Sequence, residues 1–183
     1  MVDLDGTLVE TVKINYFAYK EALRTAGYDL GYEEYARKYD GLTYDIFLKF
    51  IDASMPKETI EAIHDFKKQA YKKYMGYGVL NTNLVAMLEA MKKNGWTIAL
   101  VSSASRKNID DILRYFDLED LFEYICSKDD VNEPKPSPEG YLNLMCRLGE
   151  TPKTTVIFED SAVGIEAAQR SGINYYITRN IYK

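Results

Sequence analysis

Asp3 and Asp5 stand two residues apart in the segment Asp3-Leu4-Asp5-Gly6-Thr7. In extended backbone that spacing puts both carboxylates on one side of the chain. Two carboxylates brought that close repel unless a cation or a proton offsets them. Gly6 lets the backbone turn tightly and leaves nearby N–H groups able to cradle an anion. The segment alone also fits a polar turn or the start of a calcium loop. The EF-hand pattern fails, because it requires a third acidic or amide residue before the glycine.

Three further groups carry chemistry. Val101-Ser102-Ser103 closes an apolar run with a hydroxyl and a following N–H, a pair that suits one phosphoryl oxygen. Ser102 alone is as readily a turn or cap residue. Glu133-Pro134-Lys135-Pro136-Ser137-Pro138 restricts the backbone with three prolines and so holds Lys135 in one place, as a point charge on phosphate should be held. Glu159-Asp160 follows the apolar run Thr155-Val156-Ile157-Phe158 and offers carboxylate oxygen of the kind Mg²⁺ prefers. Asp160 also reads as a helix N-cap.

These groups need a frame. From Val9 to Gly78 the pattern is helical throughout, with no strand signal. Ile14, Phe17, Ala18 and Ala22 mark a first helix stopped at Gly27. Tyr32 to Tyr39, Tyr44 to Ile51 and Lys57 to Met75 make three more. Beyond Gly78 the pattern alternates. Helices are expected over 83–94, 107–116, 138–148 and 162–171. Strands are expected over 97–101, 122–126, 155–158 and 174–178, with Val2 to Asp5 as the first strand. Alternation of this kind implies right-handed βαβ units and a parallel sheet. The fold class is therefore α/β, a Rossmann-like parallel sheet core with an inserted helical cap. The core takes residues 1–8 and 80–183 and the cap 9–79. Ligands in such sheets bind beyond the carboxyl ends of the strands, where each of the four groups falls.

Bulk properties narrow the classes. The 183 residues carry a formal net charge of −5, which gives no basic face for nucleic acid. No apolar run is long enough to span a bilayer and no signal peptide opens the chain, so a cytoplasmic location is expected. Cys126 and Cys146 have no metal-ligand spacing and read as two buried core thiols. There are 16 tyrosines, most of them between Tyr16 and Tyr77, which read as helix and core filler rather than a stacking platform.

In chain order the four groups closely resemble the motifs of the haloacid-dehalogenase superfamily of phosphotransferases. The helical block and Gly164 are similar to the branch that holds phosphoglycolate phosphatases, sugar-phosphate phosphatases and β-phosphoglucomutase. The resemblance implies Asp3 as nucleophile and metal ligand. It implies Asp5 as general acid/base, with its carbonyl on the metal, and Ser102 and Lys135 as phosphoryl holders. Gly6, Thr7, Ser103 and Tyr44 would be substrate contacts. Asp160 would be a metal ligand and Glu159 a direct or outer one, with Mg²⁺ as cofactor. The second aspartate separates phosphate-ester chemistry from that of the dehalogenases and phosphonate-cleaving relatives. Where mutases carry a histidine, a lysine and an arginine, this chain has Asn15, Asp40 and Tyr44, so hydrolysis of a small phosphate ester, such as a sugar phosphate, is expected ahead of isomerisation. A non-catalytic binding protein is the other class. His64, within a cap helix, is expected to serve packing. A monomer or weak homo-oligomer is expected. Only Met1 and Val2 precede Asp3, so neighbouring backbone groups beside this central strand are expected to lack partners.

Overall fold

The computed structural model describes residues 1–178. Its parallel sheet is built from short, apolar strands. Strands β1 (Val9–Glu10) and β2 (Val79–Leu80) form an antiparallel ribbon of their own. In the main sheet β3 (Ala99–Val101) pairs in parallel with β4 (Tyr124–Cys126), and β5 (Val156–Glu159) with β6 (Asn174–Ile177). Val2 bridges Leu100 on one side and Phe158 on the other, also in parallel, and so joins the two pairs. The order across the sheet is β4, β3, Met1–Asp3, β5, β6. Residues of the central strands are buried because helices cover a parallel sheet on both faces; Val2, Leu100 and Ile157 are fully buried.

The expectation of unpaired groups beside the first strand is corrected. Val2 N–H donates to Ala99 O at 2.9 Å and Asp3 N–H to Phe158 O at 3.0 Å. Val101 N–H returns to Val2 O at 2.9 Å and Phe158 N–H to Met1 O at 3.0 Å. Three residues suffice because each N–H and C=O in turn addresses one of the two neighbours.

Contacts divide the chain into two compact units, Met1–Glu10 with the chain from Val79 onward, and Thr11–Gly78. The first unit holds α5 (Thr82–Lys93), α6 (Arg106–Tyr115), α7 (Glu139–Arg147) and α8 (Ala162–Ser171). Three of the four start at a side chain that accepts from an unpaired N–H of the first turn. Asn81 accepts from Leu84 N–H, Ser105 from Asn108 N–H and Ser161 from Gly164 N–H, while Pro138 opens α7. Gly172, at φ 71°, stops α8 in the left-handed conformation that glycine adopts without strain.

The second unit is helical: α1 (Val12–Thr25), α2 (Tyr32–Glu34) running into a π turn at Tyr35–Tyr39, α3 (Tyr44–Ile51) and α4 (Lys57–Ala70). The expected helix from Lys57 to Met75 is interrupted, with Tyr71–Tyr77 tightened to a 3₁₀ helix. Its core is aromatic. Tyr16, Tyr19, Tyr35, Tyr39 and Phe47 are buried together with Leu23, Leu48 and Ile63. The edge-to-face pair Tyr19–Phe47 has ring centroids 4.9 Å apart, the geometry aromatic quadrupoles favour. The tyrosine hydroxyls reach polar partners, as Tyr28 does to Asp52 at 2.6 Å and Tyr74 to Glu21 at 2.5 Å.

Two local expectations fail. Val9–Glu10 is a strand, although each partner in that ribbon is only two residues long and shows no period. Cys126 is buried but Cys146 is exposed. On α7 the buried residues are Gly140, Tyr141 and Leu144, so Cys146 lies two positions, about 200° of helix, from Leu144.

Candidate active site

The loop after Asp3 is held in shape before any ligand is considered. Leu4 is fully buried, which turns Asp3 and Asp5 to the opposite side. Gly6 has φ 87° and its N–H donates to Val9 O at 2.8 Å. A Cβ at Gly6 would overlap the Asp160 carboxylate, so the loop can press against that acid only as glycine. Thr7 is fully buried and its hydroxyl donates to Asp160 Oδ1 at 2.8 Å. The side chain of Asn81 ties the loop to α5, with Nδ2 donating to Thr7 O at 3.1 Å while Oδ1 caps the helix. Thr178 closes the far side: its N–H donates to Glu159 O at 2.7 Å and its hydroxyl to Thr7 Oγ1 at 3.3 Å.

Lys135 is brought in from a separate loop. That loop is organised by Ser127 and Asp130, which form a reciprocal cap around Lys128–Asp130, and by Glu139, whose carboxylate accepts from the N–H groups of Asn132 and Glu133. The Lys135–Pro136 peptide is cis, and Arg170 donates to Pro136 O at 3.1 Å. The ammonium then makes three bonds: to Asp3 Oδ1 at 2.6 Å, to Glu159 Oε1 at 2.5 Å and to Val101 O at 3.0 Å. The side chains of Lys135, Asp3 and Glu159 are 7%, 9% and 0% exposed, so this is a buried charge cluster rather than a surface ion pair. Water screens such a cluster weakly, and its strength rests on how fully its members are bonded.

Electrostatics follow from that burial. Burial raises the Asp3 pKa well above the ordinary carboxylate range; the Lys135 ammonium opposes the shift, and the charges of Glu159 and Asp5 add to it. Burial also opposes the charge on Lys135, but Asp3, Tyr141 and Glu159 outweigh it and push its pKa up. Asp160 is pushed up to about 6, chiefly by burial, with the Thr7 bond opposing and the Glu159 and Asp5 charges adding.

Asp3, Glu159 and Asp160 each present an oxygen within 4.8 Å of the others. An all-carboxylate donor set suits a hard cation such as Mg²⁺ and is wrong for a soft one. The three acids differ in how much they have left to give. Glu159 accepts on Oε1 from Lys135 and Tyr141, and on Oε2 from Asp160 N–H, Ser161 N–H and Ser161 Oγ. Asp3 and Asp160 are thus the carboxylates placed to touch a cation, and Glu159 fits an outer position.

The remaining expected residues separate into two groups. Asp5 is half-buried and close enough for its charge to act on both Asp3 and Asp160. Ser102 is buried; its N–H is spent on Cys126 O at 2.9 Å and its Oγ accepts from Ala104 N–H at 3.0 Å, which fixes the turn after β3. Ser103 is exposed. Tyr44 lies in the helical unit, its ring stacked on His64 at 3.7 Å between centroids. It lines a groove of about 610 Å³ with Ile46, Phe50 and Ile60. Asp45, Lys49, Lys57 and Glu61 also line it, with Lys49 donating to Ala53 O and Met55 O and Lys57 paired with Glu61 at 3.7 Å. Lys135 and the three acids gather instead at the carboxyl ends of the Met1–Asp3 strand, β3 and β5. Sequence reasoning missed Tyr141, Asn81 and Thr178 there. Tyr141 reads as helix filler, Asn81 as an ordinary loop polar and Thr178 as the end of the last strand, because their meaning lies in partners far away in sequence.

A family model described as haloacid dehalogenase-like hydrolase matches residues 1–178. The chain belongs to the haloacid dehalogenase-like hydrolases. It is 30% identical over 176 residues to the phosphorylated carbohydrates phosphatase of Thermotoga maritima, covering 93% of this chain and 80% of that protein. It is also 30% identical over 172 residues to the phosphoglycolate phosphatase of Aquifex aeolicus, covering 94% and 80%. Among solved structures, CbbY from Rhodobacter sphaeroides in complex with phosphate superposes with a TM-score of 0.84 at 24% identity, covering 100% of this chain and 86% of that one. The family IA variant 3 hydrolase from Entamoeba histolytica gives 0.81 at 24%, covering 95% and 80%. These likenesses show a shared haloacid dehalogenase-like fold, an α/β sheet core with helical additions. No helix among the described residues is long and apolar enough to cross a membrane.

Proposed function

We propose that this hydrolase cleaves small phosphate monoesters with Mg²⁺, through an aspartyl-phosphate on Asp3. The observation that carries the reading is the Lys135 ammonium seated against Asp3 at the same sheet edge where Asp3, Glu159 and Asp160 converge. A carboxylate attacks a dianionic phosphate only if fixed positive charge offsets their repulsion. Lys135 supplies one such charge. Asp3 and Asp160 are the residues to hold the cation, which supplies further charge neutralisation at the phosphoryl oxygens. Asp3 forms the new O–P bond as the ester O–P bond breaks, and Asp5 delivers a proton to the departing oxygen. Asp5 then takes a proton from the water that hydrolyses the acyl phosphate, which returns Asp3 as a carboxylate. The Ser102 hydroxyl and the Ser103 N–H hold a phosphoryl oxygen. The names of the relatives support phosphate esters as substrates, and the Asp40-to-Asp45 loop, which carries two acids and no lysine or arginine, supports a neutral, hydroxylated, sugar-like body over a second anion.

A panel of p-nitrophenyl phosphate, hexose phosphates and phosphoglycolate tests this. Turnover is expected with Mg²⁺, lost on chelation, with sugar phosphates ahead of doubly anionic substrates. No turnover by folded protein defeats the reading. Mg²⁺ affinity measured by calorimetry should fall as pH drops from about 7.5 to about 5, because binding must displace protons from Asp160, pushed up to about 6, and from Asp3, whose carboxyl is also raised. Affinity independent of pH over that range would remove Asp160 from the ligands.

A further inference from the structure

Lys135 has no donor to spare. An ammonium has three N–H groups, and here they meet Asp3 Oδ1, Glu159 Oε1 and Val101 O. To bind a phosphoryl oxygen it must release one partner. Val101 O and Glu159 belong to the frame, whereas Asp3 is the group that reacts. The bond to Asp3 is therefore the one to exchange, and the other two must hold the amine in place while it does so.

What fixes Glu159 then matters. Its Oε2 is tied by the backbone at the start of α8, from Asp160 and Ser161. Among the described residues its Oε1 is tied by Lys135 itself and by Tyr141, whose hydroxyl donates at 2.9 Å. The Tyr141 side chain is fully buried, and the Lys135 ammonium lies 5.1 Å from its ring centroid. Gly164 completes the seat, because a Cβ there would overlap the Glu159 carboxylate. The geometry points to Tyr141 as a positioning residue, whose phenol fixes the Glu159 oxygen that anchors Lys135 while that lysine passes from Asp3 to the phosphoryl group. The inference rests on the roles proposed above for Asp3 and Lys135. Tyr141 touches no reacting atom, so its effect must pass through Glu159 and Lys135.

Tyr141→Phe keeps the ring and removes only the hydroxyl. Turnover on p-nitrophenyl phosphate should fall in kcat by roughly tenfold with KM within about twofold, the signature of a loss felt mainly in the transition state. The same substitution placed in Glu159→Gln should cost little more, since the two act on one chain of contacts. Losses that multiply, or an unchanged kcat in the single variant, would overturn the inference. A second readout does not need turnover. In nitrogen-15 spectra the buried Lys135 ammonium should give a slowly exchanging signal, assigned by its loss in Lys135→Met, that broadens or shifts in Tyr141→Phe. If the signal is identical in both proteins, Tyr141 does not position Lys135. Wild type without turnover would sink the hydrolase reading alone and leave the spectroscopic test to decide on Tyr141.

Discussion

Asp3→Asn should lower turnover by on the order of 10⁴-fold or more, because a nucleophile and its activating partners act as a unit and its loss removes nearly all of their joint effect. The amide keeps the shape of the side chain but cannot form the acyl phosphate. The same variant should be at least as stable as the parent in the absence of metal. Burial raises the Asp3 pKa well above the ordinary range, so the ionised carboxylate is disfavoured in the folded state. The sign follows. A carboxyl whose folded pKa is raised gives its full stability below its unfolded value, and that stability is lost as pH rises through the folded one. At neutral pH the charge therefore costs stability, and asparagine removes the cost while leaving Lys135 its other counter-charge, Glu159. Activity and urea denaturation measured on the same preparation separate the effects. An inactive variant that is also much less stable would show that Asp3 is a structural acid, and an active one would end the proposed chemistry.

Lys135→Met reverses the stability result. Removing the ammonium leaves Asp3 and Glu159 buried, 9% and 0% exposed, without their shared cation. Breaking one side of a buried pair typically costs about 3–5 kcal/mol, because the remaining charge is left without compensation. Methionine fills similar volume, so packing loss adds little. The measurement is the denaturation midpoint in chelator and again with Mg²⁺. A large loss in chelator that Mg²⁺ partly restores is expected, since a cation held by Asp3 and Asp160 takes over some of the neutralisation. Equal stability in chelator would mean that the ammonium does not offset the two carboxylates in the resting protein. Turnover should be severely reduced in either buffer.

How much of this was legible in sequence depended on whether a residue's role is local. Asp3, Asp5, Lys135 and Asp160 could be singled out because charged residues at the ends of apolar runs have few reasons to be there. The parallel sheet followed from short apolar runs alternating with helical periodicity. Tyr141 could not be read, because a tyrosine on the buried face of a helix looks the same whether or not its hydroxyl serves a carboxylate 18 residues on. The ribbon of Val9–Glu10 with Val79–Leu80 lies below the length at which alternation shows. Cys146 was misassigned because a helix-like run says which residues are apolar, while tertiary packing decides which face is covered. The full pairing of Met1–Asp3 is hidden for the same reason as Tyr141: its partners, near Leu100 and Phe158, lie far along the chain.

That separation has a bearing on how the protein acquires its activity. The strand of Asp3 is gripped by β3 on one side and β5 on the other, and the counter-charge of Asp3 arrives from a loop 132 residues away. Contacts at such distances are made late, since loop closure must be met before they are rewarded. A nascent or refolding chain can thus build its helices, whose contacts are local, well before Asp3 has neighbours at all. On dilution from denaturant, helical signal is expected to return ahead of phosphate-ester turnover, and simultaneous recovery would contradict it. Asp3 would stand without its counter-charge until parts of the chain 132 residues apart had met.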